Sequence, residues 1–488
     1  MPVSFVPSQE ELLRIAPEII LTLAGTLIMV LTPFARGRTD SRFGYICLGA
    51  LLAAMVAALA ADQHRGAAFH QMLEVDGFAT FFRILVLGVG LLTALSSLAY
   101  LRREQAEPGE YYALLLYSVA GQSLMAAANE LIMIFIGLEI SSIASYILAG
   151  YLREDLRATE AALKYFLLGS FATAFLLYGV AWIYGMTGST HLAEIRASLT
   201  VAAPAPSELL VAVAAAMMFA GLAFKVSAWP FQVWAPDVYQ GAPAPVAAFL
   251  SAGPKAAAFA VFLRIFLTAF EPAATRWAAF VWWSALVSMT LGNLAALVQS
   301  NIKRLLAYSS IAHAGYVLVA LTAHSEAGAS AVMFYLAAYA LMNIGAFAMV
   351  AHFSRKGERY VEVDDFAGLA VTHPAAASLF AIFLLSLIGV PPTAGFFAKF
   401  YVFKAALDAD LVGLTVLGLL NSAVGAYYYL RILVVMYMRE PGEAAAAAPS
   451  LPPSLKATLW ICAVGTMLLG VWPTLLLGFA DRAAAMVR

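Results

Sequence analysis

Apolar stretches of about 20 residues, long enough for an α-helix to cross a bilayer, recur through this chain almost without pause. They fall at 12–34, 43–62, 78–101, 111–128, 130–150, 159–185, 208–239, 244–270, 276–298, 303–323, 328–354, 373–407, 411–438 and 455–479. This pattern predicts an all-α polytopic membrane protein with about fourteen transmembrane helices. Composition agrees: 63% of residues are hydrophobic and 12% charged, against about 25% charged in soluble domains. The lipid bilayer is therefore the expected solvent. A net charge of −1 leaves no electrostatic footprint for nucleic acid. There is no glycine-rich nucleotide loop, Cys/His cluster or nucleophile elbow. Cys47 and Cys462 stand in separate apolar segments and suggest no disulfide, metal or haem site. Met1 to Glu11 are neutral to acidic, so the first apolar segment is expected to stay as a helix rather than leave as a signal peptide.

Loop charge predicts the orientation. Arg36, Arg38, Arg42, Arg102, Arg103, Arg153, Arg157, Lys303, Arg304, Arg355, Lys356, Arg359, Arg439 and Lys456 fall in odd-numbered connections. The even connections and the tails hold only Arg14, Arg65, Arg196, Arg276, Arg482 and Arg488. Under the positive-inside rule the odd connections are cytoplasmic and both termini lie outside.

Five ionisable residues remain well inside apolar helices: Glu139, Lys225, Lys255, His313 and Lys399. Each charge at the bilayer centre costs about 2.5–3.5 kcal/mol on insertion scales, so such residues are functional candidates. Lys164, Lys404, Arg264, Arg83 and Arg431 lie nearer helix ends and are expected to reach the headgroups, with Glu160 one turn before Lys164 as an ordinary helical pair. For His313 the plainer alternative is a hydrogen-bonded packing residue.

Two spans are too long for a straight crossing, and each carries proline near its middle: Trp229-Pro230 and Val390-Pro391-Pro392. Proline frees backbone groups, which membranes tolerate only where protein or water covers them. A break beside a lysine thus marks a hydrated interior. Lys225 precedes its break and Lys399 follows its own. The two broken helices are about five apart, which suggests two inverted units of about five helices, 111–270 and 276–438. Residues 1–110 then form three leading helices and 455–488 a closing one. A lysine loses its proton more readily when desolvated and holds it beside a carboxylate, so a Glu139–Lys225 pair would suit a proton relay.

At these residues the chain resembles the antiporter-like membrane subunits of bacterial NADH:quinone oxidoreductase, respiratory complex I, in the subunit N group. The stretches that carry the likeness are Gly221 to Val246 with the following SAGPK, EAALKYFLLGSF (160–171), NIKRLLAYSSIAHAGY (301–316) and GVPPTAGFFAKF (389–400). The related L and M subunits typically read PDAH where this chain has Pro236-Asp237-Val238-Tyr239. The resemblance implies two inverted five-helix repeats and proton translocation through Glu139, Lys225, Lys255, His313 and Lys399. No cofactor is expected in this chain; NADH, FMN, iron–sulfur clusters and quinone would belong to partner subunits. The implied partners are other complex I membrane subunits, above all neighbouring antiporter-like ones, in the bacterial inner membrane. Gln232 departs from the family, which commonly has histidine there. A cation/proton antiporter subunit of the same ancestry is the alternative, and a structural scaffold whose buried charges lock packing is a rival of another class.

Overall fold

The computed structural model describes residues 7–34, 41–106, 108–201, 207–447 and 449–486. Among them, 12 helices are long and apolar enough to cross a membrane, with Pro374–Ile388 as a shorter apolar helix. The fold is all-α and polytopic. The only paired strands among the described residues are the short hairpin Gly66–Ala68 and Leu73–Val75.

Helix starts follow local capping chemistry. The first backbone N–H groups of a helix lack intrahelical acceptors, and a side-chain oxygen supplies one. Asp76 accepts from Ala79 N at 2.6 Å, Glu130 from Met133 N at 2.8 Å, Asn301 from Arg304 N at 3.1 Å and Ser325 from Gly328 N at 3.0 Å. Small residues then let backbones approach: a Cβ on Gly121 would stand 2.5 Å from the Gly137 carbonyl oxygen of the next helix.

Ala244–Ala269, Ile302–Thr322 and Glu326–Phe353 are 94%, 94% and 89% buried over their most apolar windows, whereas Val412–Met438 is 33% buried. A helix that is apolar all round and covered on every side belongs at the centre. These three form the core, and helices with one exposed apolar side surround them.

The odd-numbered connections meet on one face, as their charge predicts. Arg103 donates to the Ala351 carbonyl at 2.7 Å, Arg157 to that of Gly357 at 3.2 Å and Arg355 to that of Ala444 at 2.6 Å. Arg439 pairs with Asp364 at 2.6 Å. On the opposite face Arg14 donates to the Ala67 carbonyl at 2.8 Å and Arg196 pairs with Glu271 at 3.3 Å. Arg36 and Arg38 lie outside the described residues.

Several expectations need correction. Arg83 does not reach the headgroups: it is fully buried and pairs with Glu18 at 2.8 Å, and Ser123 donates to the same carboxylate. Arg264 is also buried, bound by Asp76 at 2.9 Å with its guanidinium over the Phe78 ring. Lys164 joins Asp237 as well as Glu160, each at 2.7 Å. Lys404 is exposed, as expected. The last span is interrupted at Pro473, giving Pro453–Val471 and Thr474–Ala484. The connection at 186–207 contains a helix, Leu192–Val201.

Candidate functional site

The helix Glu208–Val226 stops at Ser227, whose φ of 60° is left-handed. The chain resumes as a short helix at Ala235–Gly241. The intervening backbone is held by another helix, Ala274–Leu297: Trp229 N donates to Ser288 Oγ at 2.8 Å, and Ser284 Oγ donates to the Trp229 carbonyl. Lys225 sits in the last turn before this break and is buried. Its Nζ donates to Ser142 Oγ at 2.7 Å and Tyr146 Oη at 2.9 Å, both on Leu131–Ala149.

Glu139 lies one turn before Ser142 on that helix, yet it does not pair with Lys225. No carboxylate lies within ion-pair distance of Lys225 among the described residues. The Glu139 side chain is half-buried, and its Oε1 finds no hydrogen-bond partner among the described residues. In place of a Glu139–Lys225 pair the amine meets hydroxyls, which stand one and two turns further along the helix than Glu139. Gln232 lies in the break with a buried, unpartnered Oε1.

Lys255 lies at the centre of the core, 2% exposed, one residue after Pro254. Its Nζ donates to the Ser310 carbonyl at 3.0 Å and also meets Ser310 Oγ. His313 follows Ser310 on the same helix. It sits between two tyrosine hydroxyls, Tyr335 at 2.7 Å from Nδ1 and Tyr429 at 3.3 Å from Nε2. The His313 ring also touches Tyr316, with centroids 5.7 Å apart.

Lys399 completes this group from the second broken helix, Pro374–Ile388 and Ala394–Asp408. The first half ends at Gly389, whose φ of 94° suits glycine. Lys399 folds back over that end: its Nζ donates to the carbonyls of Leu387 at 3.1 Å and Ile388 at 2.8 Å, and to Ser422 Oγ at 2.8 Å. A cation on the carbonyl end of a half-helix also complements its dipole. The Lys399 Nζ stands 5.1 Å from the centre of the Tyr316 ring.

The expected residues therefore fall into two groups. Lys255, His313 and Lys399 share a neighbourhood built on Ile302–Thr322. Lys225 is held on the far side of its break by Leu131–Ala149, with Glu139 nearby on that helix. Sequence reasoning missed the hydroxyl partners Ser142, Tyr146, Ser310, Ser422 and Tyr429. It also missed the buried Lys303–Glu358 pair, because both residues fall in connections counted as surface. The hydroxyl partners carry no local signal in sequence, since each stands on a different helix from the lysine or histidine it meets. Among the described residues no group of His, Cys, Asp or Glu could hold a metal ion.

Residues 128–425 match the family described as NADH:quinone oxidoreductase/Mrp antiporter, TM. The chain is 64% identical over 488 residues, all of both chains, to NADH-quinone oxidoreductase subunit N 1 of Solibacter usitatus. It is 49% identical to subunit N 2 of Koribacter versatilis, covering 97% of this chain and 96% of that one. A chain of respiratory complex I from Thermus thermophilus superposes with a TM-score of 0.80 at 35% identity, covering 95% of this chain and 98% of that one. A chain of the Mrp complex from Dietzia shares the fold, with a TM-score of 0.84 at 24% identity and 98% of each chain covered.

Proposed function

Since the chain belongs to the NADH:quinone oxidoreductase/Mrp antiporter family, within its subunit N group, we propose that it carries protons across the membrane through its own buried lysines. It is a membrane subunit of complex I, assembled with the other membrane subunits. Electrons from NADH pass to quinone elsewhere, through FMN and iron–sulfur clusters held by partners. The membrane is the bacterial inner membrane, with the basic-loop face in the cytoplasm and both termini in the periplasm. Residues 111–270 and 276–438 act as two inverted units flanked by 1–110 and 455–488.

The observation that carries this reading is the contrast between two kinds of buried charge. Arg83, which joins two of the leading helices, and Arg264, which ties them to the body, each have a carboxylate partner. Lys225, Lys255 and Lys399 have none among the described residues and are held by hydroxyls and backbone carbonyls. An arginine locked to a carboxylate serves packing, since it does not give up its proton. An amine surrounded by hydroxyls can exchange its proton, since each hydroxyl both accepts and donates. Lys255, Ser310, His313, Tyr316 and Lys399 thus supply a lateral route between the two units. Around it lie buried hydroxyls, Ser227 Oγ, Tyr239 Oη and Tyr339 Oη, that make no hydrogen bond of good geometry among the described residues, the kind of group that ordered water satisfies. Glu139 and Lys225 sit at one end of this route and Lys399 at the other.

The full-length identity to subunit N relatives favours a complex I subunit over a stand-alone antiporter. Replacing Lys225 or Lys399 by methionine should lower proton uptake per NADH oxidised in reconstituted vesicles while the complex still assembles. Wild-type pumping by both variants would overturn the relay; loss of assembly without a specific pumping defect would favour the scaffold.

A further inference from the structure

We propose that Glu358, Lys303 and Tyr100 form the inner end of a proton-uptake route that opens on the basic-loop face and feeds Lys255. The proposal rests on the proton-translocating reading above and adds the residues through which protons reach it.

The first observation is a buried cluster outside the relay. The chain turns through three left-handed residues, Arg355, Gly357 and Glu358, with φ of 57°, 70° and 47°. Non-glycine residues seldom adopt this conformation, and here it buries the Glu358 carboxylate. Tyr100 donates to Glu358 Oε1 at 2.7 Å, and Ala244 N donates to the same oxygen at 2.8 Å. The other oxygen meets Lys303 Nζ. Lys303, 1% exposed, also donates to the Ala242 carbonyl at 2.6 Å. The cluster thereby joins the starts of the two core helices whose middles hold Lys255 and Ser310.

The second observation is a cavity of about 970 Å³ that Gly357, the chain neighbour of Glu358, helps to line. Glu104, Glu110, Glu154 and Asp155 line it together with the cationic Arg153, Arg157, Lys356 and Arg359. Burial acts to raise the Asp155 carboxyl, but hydrogen bonds from Arg157 outweigh it and hold the group below the usual carboxylate range. The third observation lies inward. Ala242 ends the short helix that carries Tyr239. The buried Tyr239 hydroxyl is directed at the Ser227 and Ser310 hydroxyls without a hydrogen bond of good geometry, and Ser310 holds Lys255.

The proton balance is simple. Lys303 gives one proton inward: its N–H breaks as a water molecule between it and Tyr239 takes that proton and releases another, the Tyr239 and Ser310 hydroxyls each accept a proton and release their own, and an N–H forms on the neutral amine of Lys255. A hydronium ion in the cavity protonates Glu358 and leaves water. The Glu358 O–H then breaks as the N–H of Lys303 is restored. A carboxylate that served only to cap Ala244 would need no cavity beside it and no lysine reaching further in.

Glu358→Gln decides between the two roles, because the amide oxygen still accepts from Tyr100 and Ala244 but the group neither takes up nor gives back a proton. In the assembled complex in vesicles, this variant should retain assembly, lose proton uptake several-fold and show a larger solvent deuterium effect on pumping. Glu358→Asp should restore part of the rate. Wild-type pumping by Glu358→Gln, alongside impaired pumping by Lys255→Met, would overturn the proposal and leave the relay standing. Wild-type pumping by Lys255→Met would overturn the relay reading itself. Should Glu358→Gln fail to assemble, the exposed double variant Glu110→Gln/Glu154→Gln decides: slower uptake with a larger isotope effect supports the route, and unchanged values overturn it.

Discussion

The two broken helices solve the same problem in different ways. In the first, Ser284 and Ser288 of the helix Ala274–Leu297 satisfy the exposed backbone of Trp229, and Lys225 is free to bind only side-chain hydroxyls. In the second, Lys399 itself satisfies the freed carbonyls of Leu387 and Ile388. Donor counting shows the consequence. An ammonium offers three donors, a neutral amine two donors and a lone pair. Lys225 makes two hydrogen bonds to side chains and keeps both on losing a proton. Lys399 makes three, and keeps all three only if Ser422 turns from acceptor to donor. Proton loss at the second break therefore reverses Ser422 or gives up one of three bonds, two of which support backbone, whereas at the first both side-chain contacts survive.

The strongest way to break the comparison acts on the second break alone. A Cβ on Gly395 would lie 1.8 Å from the Ser386 carbonyl oxygen, and Gly395 N donates to Ser386 Oγ at 3.1 Å. Overpacking typically costs about 1–3 kcal/mol when side chains can yield; here backbone meets backbone. Gly395→Ala should separate the two half-helices and remove the chain from the purified complex. Normal recovery of the assembled complex would show that the break is less tightly determined than these contacts indicate.

The comparison is sharpened by deleting one hydroxyl at each lysine. Ser422→Ala removes the only partner of Lys399 that can reverse its role, so pumping should slow several-fold with assembly unchanged. Tyr146→Phe removes one of two hydroxyls from Lys225, leaves Ser142 in place and should slow pumping less. Vesicle acidification rates for the pair check the ranking. Equal defects would remove the distinction between the two breaks.

Much of this was legible in the sequence, for a physical reason. Lipid forces each crossing to be a contiguous apolar run, so the positions of the helices and the prolines at 230 and 391 stand out. A lysine in such a run stands out equally. Partners do not. Arg83 lies 65 positions from Glu18 along the chain, and nothing local announces that the two meet; Arg83 alone reads as a group near a helix end. The Glu358 carboxylate is turned inward by a left-handed bend that a charged connection gives no sign of. Serine and tyrosine are common in membrane helices, so Ser142, Ser310 and Ser422 became distinctive only when their distances to the amines were known. Glu139 shows the converse: a carboxylate and a lysine invited pairing, but the hydroxyls of Ser142 and Tyr146 stand closer to Lys225.

The smallest expected effect tests the other half of the comparison. If Ser284 and Ser288 support backbone at the first break and take no part in proton movement, their loss should be felt in stability alone. Each hydrogen bond contributes about 1 kcal/mol, with a further penalty for a buried group left unsatisfied. The Trp229 N–H and carbonyl would both lose their partners in Ser284→Ala/Ser288→Ala. Thermal unfolding of the purified complex should shift downward, while protons taken up per NADH oxidised stay at the wild-type value. A fall in that ratio at unchanged thermal stability would place these serines in the proton route and make the two breaks alike: backbone support and proton transfer would then be coupled at both.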